Sequence, residues 1–268
     1  MTTIALHQTP DGAVVLRQQL RAVGSSMRRA GLVLLGLAVV LFIATLVAAL
    51  QAAAHSNRPQ GFEFDPAMML PVFLLGLVAA VGTWQREEPS RRGYHLAMPA
   101  PAVEHTATRV FAGWVWCMAA VAGSWVVLWA LGGTVAMIGK GEFRMGLTTW
   151  LFLAPFAAAS MTYLLASIIL IASERPGMWI VSLPTGVAIL FSLPDAYHAT
   201  AGIRLVHRIL DSPFSPVIPM WPVFRTISAD HHGWIVNWQR GVAGTAAWIA
   251  IGLIGVWLAA RKRPRATK

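Results

Sequence analysis

The chain has 268 residues, of which 56% are hydrophobic and 12% charged, with a formal net charge of +10. The charged share is about half the ~25% of an ordinary soluble domain, and a lone cysteine, Cys117, excludes a disulfide framework or a cysteine metal site. Because much of the basic excess flanks uncharged runs, the expected partner of the charge is a lipid headgroup layer rather than nucleic acid.

From Gly12 to Arg29, Val15, Leu16, Leu20, Val23 and Met27 recur at helical spacing, with Arg17, Arg21 and Arg28 on the other side. This pattern predicts an amphipathic helix lying on the cytoplasmic leaflet before the chain turns into the membrane. Six uncharged apolar runs follow: Ala30–Ala54, Pro66–Gln85, Val110–Gly139, Met145–Ser173, Pro176–Pro194 and Gly241–Ala260. Each is close to, or longer than, the ~20 residues that carry a helix across a ~30 Å hydrocarbon layer. Helices this apolar on every side have no face to show to water. The 12 tryptophans suit interfacial belts. The expected fold is an all-α membrane protein with six transmembrane helices. Residues 1–29 form a cytoplasmic region with the amphipathic interface helix, 30–260 the transmembrane domain, and 261–268 a basic cytoplasmic tail.

Counting charges orients the spans. With the amino terminus inside, the cytoplasmic segments hold Arg17, Arg21, Arg28, Arg29, Arg86, Arg91, Arg92, Arg109, Arg175, Arg261, Lys262, Arg263, Arg265 and Lys268, which is 14 of the 21 basic residues. The outer segments hold Arg58, Lys140, Arg144, Arg204, Arg208, Arg225 and Arg240, the other 7. The positive-inside rule therefore puts both termini in the cytoplasm.

Inside the runs the polar groups are hydroxyls, among them Ser124, Ser160, Thr162, Ser167, Ser182 and Thr185. Without intramembrane carboxylates, histidines or arginines there is no evident proton relay or gating charge. The hydroxyls are expected to join helix to helix. The chain has no G-x-x-x-x-G-K-[ST] phosphate loop, and Gly139-Lys140 is followed by Gly141. Any uphill work would thus draw on a partner's energy.

The segment between the second and third runs is where a partner could hold on. It begins Arg86-Glu87-Glu88-Pro89-Ser90-Arg91-Arg92. Pro89 suits the first turn of a short helix after acidic residues that favour its positive end. Tyr94, Leu96 and Met98 offer an apolar contact, and Met98-Pro99-Ala100-Pro101 stops the helix. The competing reading is a solvated loop whose charges only set topology. The six runs, the amphipathic entry and this arginine-rich segment ending in Met98-Pro99 resemble the permease subunit of ABC-2 type exporters. The resemblance implies a bacterial inner-membrane protein working with a cytoplasmic ABC ATPase and a second permease, identical or homologous. It implies a coupling helix docked on that ATPase, so Arg86, Glu87, Glu88, Arg91, Arg92, Tyr94, Leu96 and Met98 would be partner-binding. ATP would be bound by the partner, and this chain would carry no cofactor, metal or catalytic residue.

Beyond the fifth run, Ser212–Phe224 is uncharged, with Pro213, Pro216, Pro219 and Pro222 at every third position. That period matches polyproline II. The stretch is too short to span as a helix and too apolar for a free loop. It resembles the re-entrant elements near the extracellular gate of the same family, which makes Phe214, Ile218, Trp221 and Phe224 gate candidates. A surface loop in the headgroup layer is the alternative.

Two other readings compete. Glu87-Glu88-x-x-x-Arg92 matches part of an intramembrane CAAX-type protease pattern, and His207-x-x-x-Asp211 resembles its last motif. No phenylalanine has histidine four residues later, however, and the charge count separates Glu87 from His207 by a membrane. Asp230-His231-His232 could bind a metal but has no second cluster at useful spacing. The remaining alternative to an exporter permease is a non-transporting membrane scaffold or assembly factor.

Overall fold

The computed structural model describes residues 12–55, 60–63, 72–84, 102–144, 149–173, 175–182, 185, 186, 189, 200–202, 204, 205 and 238–262. Among them are five helices and two short strands: α1 (Gly12–His55), β1 (Gln60–Glu63), α2 (Val72–Trp84), α3 (Ala102–Ile138), β2 (Lys140–Arg144), α4 (Thr149–Ala172) and α5 (Trp238–Lys262). A further helical stretch covers residues 176–182. The described residues are nearly all helical. Among the described residues, three helical segments are long and apolar enough to cross a membrane: Val103–Ile138, Phe152–Ala172 and Val242–Arg261. Leu74–Trp84 is a shorter apolar helix inside the second run.

α1 carries the amphipathic stretch and the first apolar run in one unbroken helix of 44 residues, about 66 Å long at 1.5 Å per residue. No turn separates the two parts. The stripe is real, with Val23 buried and Arg17, Arg21 and Arg28 exposed, but it packs on protein. Trp116 of α3 donates its indole N–H to the Leu20 carbonyl at 3.0 Å, and Gln19 meets His105 across 3.1 Å. Gly24 lets the Trp116 indole lie against the α1 backbone, where an added Cβ would stand 2.8 Å from the ring.

α2, α3 and α4 form the core through small residues. Ala79, Ala80, Ala112, Ala154, Ala158 and Ala159 are buried, which allows the close backbone approach that substitutes for a hydrophobic driving force in lipid. The closest approach is at Gly76, where a Cβ would collide with the Ala159 carbonyl oxygen and lie 2.9 Å from the Tyr163 nitrogen. At the start of α4 packing is aromatic, with Trp125 and Phe152 ring centroids 5.1 Å apart and Phe152 and Phe156 5.9 Å apart.

Contacts give the helices their directions. Val110 meets Tyr163, Trp114 meets Ser160 and Trp125 meets Phe152, so α3 and α4 are antiparallel. Gly252 lies against Leu164 and Gly255 against Ile168, so α5 runs parallel to α4. The start of α1 is beside the start of α3, and the end of α5 reaches the same place, where Val103 and Ala260 line one groove.

The sequence pattern does not anticipate a sheet, yet β1 and β2 pair in parallel, with Gln60 opposite Lys140, Phe62 opposite Phe143 and Glu63 opposite Arg144. Lys140 makes the corner from α3 into β2 with a left-handed φ of 51°. A parallel pair is possible because the strands follow α1 and α3, which run the same way.

The hydroxyls depart from expectation. Ser124, Thr162 and Thr185 each donate to the carbonyl four residues back in their own helix. Such back-bonding satisfies a hydroxyl without a second helix. Ser160 also bonds back, to Phe156, but in addition accepts the Trp114 indole N–H at 2.9 Å. Of these hydroxyls, Ser160 links two helices.

Candidate functional site

The predicted partner-binding residues Arg86, Glu87, Glu88, Arg91, Arg92, Tyr94, Leu96 and Met98 lie outside the described residues, as do the gate candidates Phe214, Ile218, Trp221 and Phe224 and the Asp230-His231-His232 cluster. The residues at both ends of segment 85–101 are described. Trp84 ends α2 before it, and Ala102 opens α3 after it.

These ends are clamped by a buried polar cluster. Arg109, two turns into α3, donates from Nε at 3.1 Å and from Nη2 at 2.7 Å to the Thr83 carbonyl oxygen. Thr83 is in the last turn of α2, where carbonyls have no acceptor role left within the helix. A cation there also meets the negative end of the helix dipole. The same guanidinium stands over the Trp84 ring, 5.6 Å from its centroid. Arg109 is buried despite its charge. A group of this kind is stable in the interior only when its donors are engaged.

α4 joins through Tyr163, which is fully buried and donates its hydroxyl to the Val110 carbonyl at 2.9 Å. Gly113, one turn beyond Arg109, makes room for it. A Cβ at Gly113 would collide with the Tyr163 hydroxyl and with Thr83 Oγ1. Thr83 Oγ1 itself donates to the Ala79 carbonyl at 2.7 Å, which satisfies the hydroxyl within α2. On the α1 side, Met27 packs over Gly82, one residue before Thr83. The result is a junction of α1, α2, α3 and α4 at the end of the bundle from which residues 85–101 emerge.

Among the described residues no three His, Cys, Asp or Glu side chains gather to hold a metal. Charge counting treats Arg109 as a topology marker, and the structure makes it the keystone between α2 and α3. Thr83, Gly113 and Tyr163 escape the sequence reading altogether. One signal was available: Thr106, Val110, Gly113, Cys117 and Val121 recur at helical spacing and are all buried, a stripe of small and polar side chains along a tryptophan-rich helix. Such stripes mark helix–helix contact in membranes.

No family model, curated protein or solved structure matches this chain.

Proposed function

We propose that this chain is the permease subunit of an ATP-driven exporter of the ABC-2 type, in the bacterial inner membrane, coupled to a separate ATPase through residues 86–98. The observation that carries the reading is the clamp at the roots of that segment. A partner pressing on residues 86–98 pushes on Trp84 and Ala102 together. Arg109 and Tyr163 pass the load into α2, α3 and α4 as one body. A segment that only set topology would need no such footing.

Helix direction supports the six-span part of the proposal. α4 and α5 are parallel, so residues 173–237 return across the length of the bundle, as the fifth run Pro176–Pro194 would. The starts of α1 and α3 and the end of α5 meet at one end, in keeping with both termini on one side, and the basic excess makes that side the cytoplasm. The translocation path would run along a permease–permease interface and open during reorientation of the spans.

The test is co-purification of an ABC ATPase with the tagged chain from native membranes. The wild-type chain is expected to bring down the ATPase. Tyr94→Ala with Met98→Ala should release it, since buried aromatic and methionine anchors dominate such interfaces, while Glu87→Ala should retain it. Absence of any ABC ATPase from the wild-type preparation would defeat the proposal. Retention by the double variant with loss in the Glu87 variant would assign the segment another role.

A further inference from the structure

Away from the clamp, an open groove of about 340 Å3 runs where α3 and α5 part over α4. Phe111 and Trp114 wall it on one side and Leu253 and Trp257 on the other, with Leu164 from α4 beneath. Its lining is apolar except for the hydroxyls of Ser160, already engaged by Trp114 and the Phe156 carbonyl, and of buried Thr106. Phe111, Leu253 and Trp257 remain 49%, 53% and 42% exposed, so these walls open outward.

The lining and the charge at its end select the occupant. On α3 the lining runs from Val103 to Trp114, about 16 Å at 1.5 Å per residue. An apolar groove of that length accommodates a hydrocarbon chain. Left empty, the walls would lose packing on one side.

Charge flanks the groove at the end where Val103 and Ala260 lie. Arg261, one residue beyond the groove-lining Ala260, is exposed and holds its guanidinium 3.6 Å from the centroid of the groove-lining Trp257. Lys262 follows it, and Glu104 is the carboxylate in the first turn of α3. The groove therefore has the layout of a two-part ligand, apolar along its length and cationic at its mouth.

We propose that this groove binds one acyl chain of an anionic phospholipid, with the lipid phosphate held by Arg261. The site depends on α3, α4 and α5 crossing a bilayer and stands apart from the exporter reading. It is a bound lipid on the outer face of one subunit, and the ATPase plays no part in it.

Native mass spectrometry of the detergent-purified full chain, titrated with phosphatidylglycerol or with phosphatidylcholine of the same acyl chains, tests the site. The wild-type chain is expected to retain one phosphatidylglycerol in clear preference to phosphatidylcholine. Arg261→Gln should lower that retention about fivefold, the effect of one basic group at an anionic lipid surface, and Arg261→Lys should restore most of it. Ala107→Phe, from the α3 wall, and Leu253→Trp, from the α5 wall, fill the slot from opposite sides and should abolish retention. Either filler that keeps the wild-type circular dichroism suffices for the reading. Equal retention of the two lipids, unchanged retention in a folded filler variant, or no lipid on the wild-type chain would each overturn the proposal. So would a filler variant that instead splits a dimer, since the occupant would then be a second copy.

Discussion

Replacing Arg109 with methionine removes the cation from the clamp while keeping most of the apolar length of the side chain. Two charge-assisted bonds to the Thr83 carbonyl, at 2.7 and 3.1 Å, disappear together. Hydrogen bonds to charged groups contribute about 1.5–3 kcal/mol, and a desolvated guanidinium over an indole adds ~0.5–2 kcal/mol. Burying the guanidinium carries a cost of its own, which methionine does not incur. With the two bonds sharing one acceptor oxygen and the burial cost set against them, the net loss is expected near 2–3 kcal/mol, below the gross sum of about 3.5–8 kcal/mol. At ~2–4 °C per kcal/mol for a chain of this size, the melting temperature should fall by about 4–12 °C. Arg109→Lys keeps the charge but lacks the planar fork, so it should fall between wild type and methionine. Thermal unfolding of detergent-purified variants, followed by circular dichroism, measures both. A methionine variant melting within about 1 °C of wild type would refute the clamp, because that shift corresponds to less than ~0.5 kcal/mol. A lysine variant no better than methionine would show that charge, without the two-pronged geometry, contributes nothing.

Gly76→Leu should abolish monodisperse protein, because its Cβ would strike the Ala159 carbonyl, which is backbone and cannot yield, whereas Gly123→Leu, with nothing within 4 Å, should purify like wild type. Equal behaviour of the two would refute the α2–α4 packing. Cysteines placed at Gly12 and Thr267 in a background lacking buried Cys117 should be shielded from an impermeant thiol reagent in intact cells, and one at Ser212 should react. Labelling of both ends from outside would reverse the proposed orientation.

The apolar runs were legible because hydrocarbon imposes one rule on every residue it touches. The runs Val110–Gly139, Met145–Ser173 and Gly241–Ala260 correspond to α3, α4 and α5 with carboxyl ends displaced by only a residue or two. The amino end of α3 was misplaced by eight residues for a specific reason. Glu104, His105 and Arg109 look like loop charges, yet Arg109 points into the bundle and ends a helix other than its own. Its acceptor is a backbone carbonyl, and carbonyls have no letter in a sequence. The same blindness hid Tyr163, whose partner is the Val110 carbonyl, and Trp116, whose partner is the Leu20 carbonyl. Hydroxyls misled in the opposite direction, since a serine or threonine in a helix finds an acceptor one turn away before it finds a neighbour. The strands were hidden because four or five residues beside long apolar helices carry no alternation strong enough to register.

The parallel ladder of β1 and β2 has a mechanical meaning. It ties the connection that leaves α1 to the one that leaves α3, while Gln19–His105 and Trp116–Leu20 tie the same two helices at their other ends. Two rods fastened top and bottom cannot slip past each other by a helical turn, about 5.4 Å, without breaking one set of fastenings. They can only tilt together. α1 and α3 thus form a two-beam strut, and a displacement applied at one face of the bundle arrives at the opposite face as a rocking of that frame against α4 and α5.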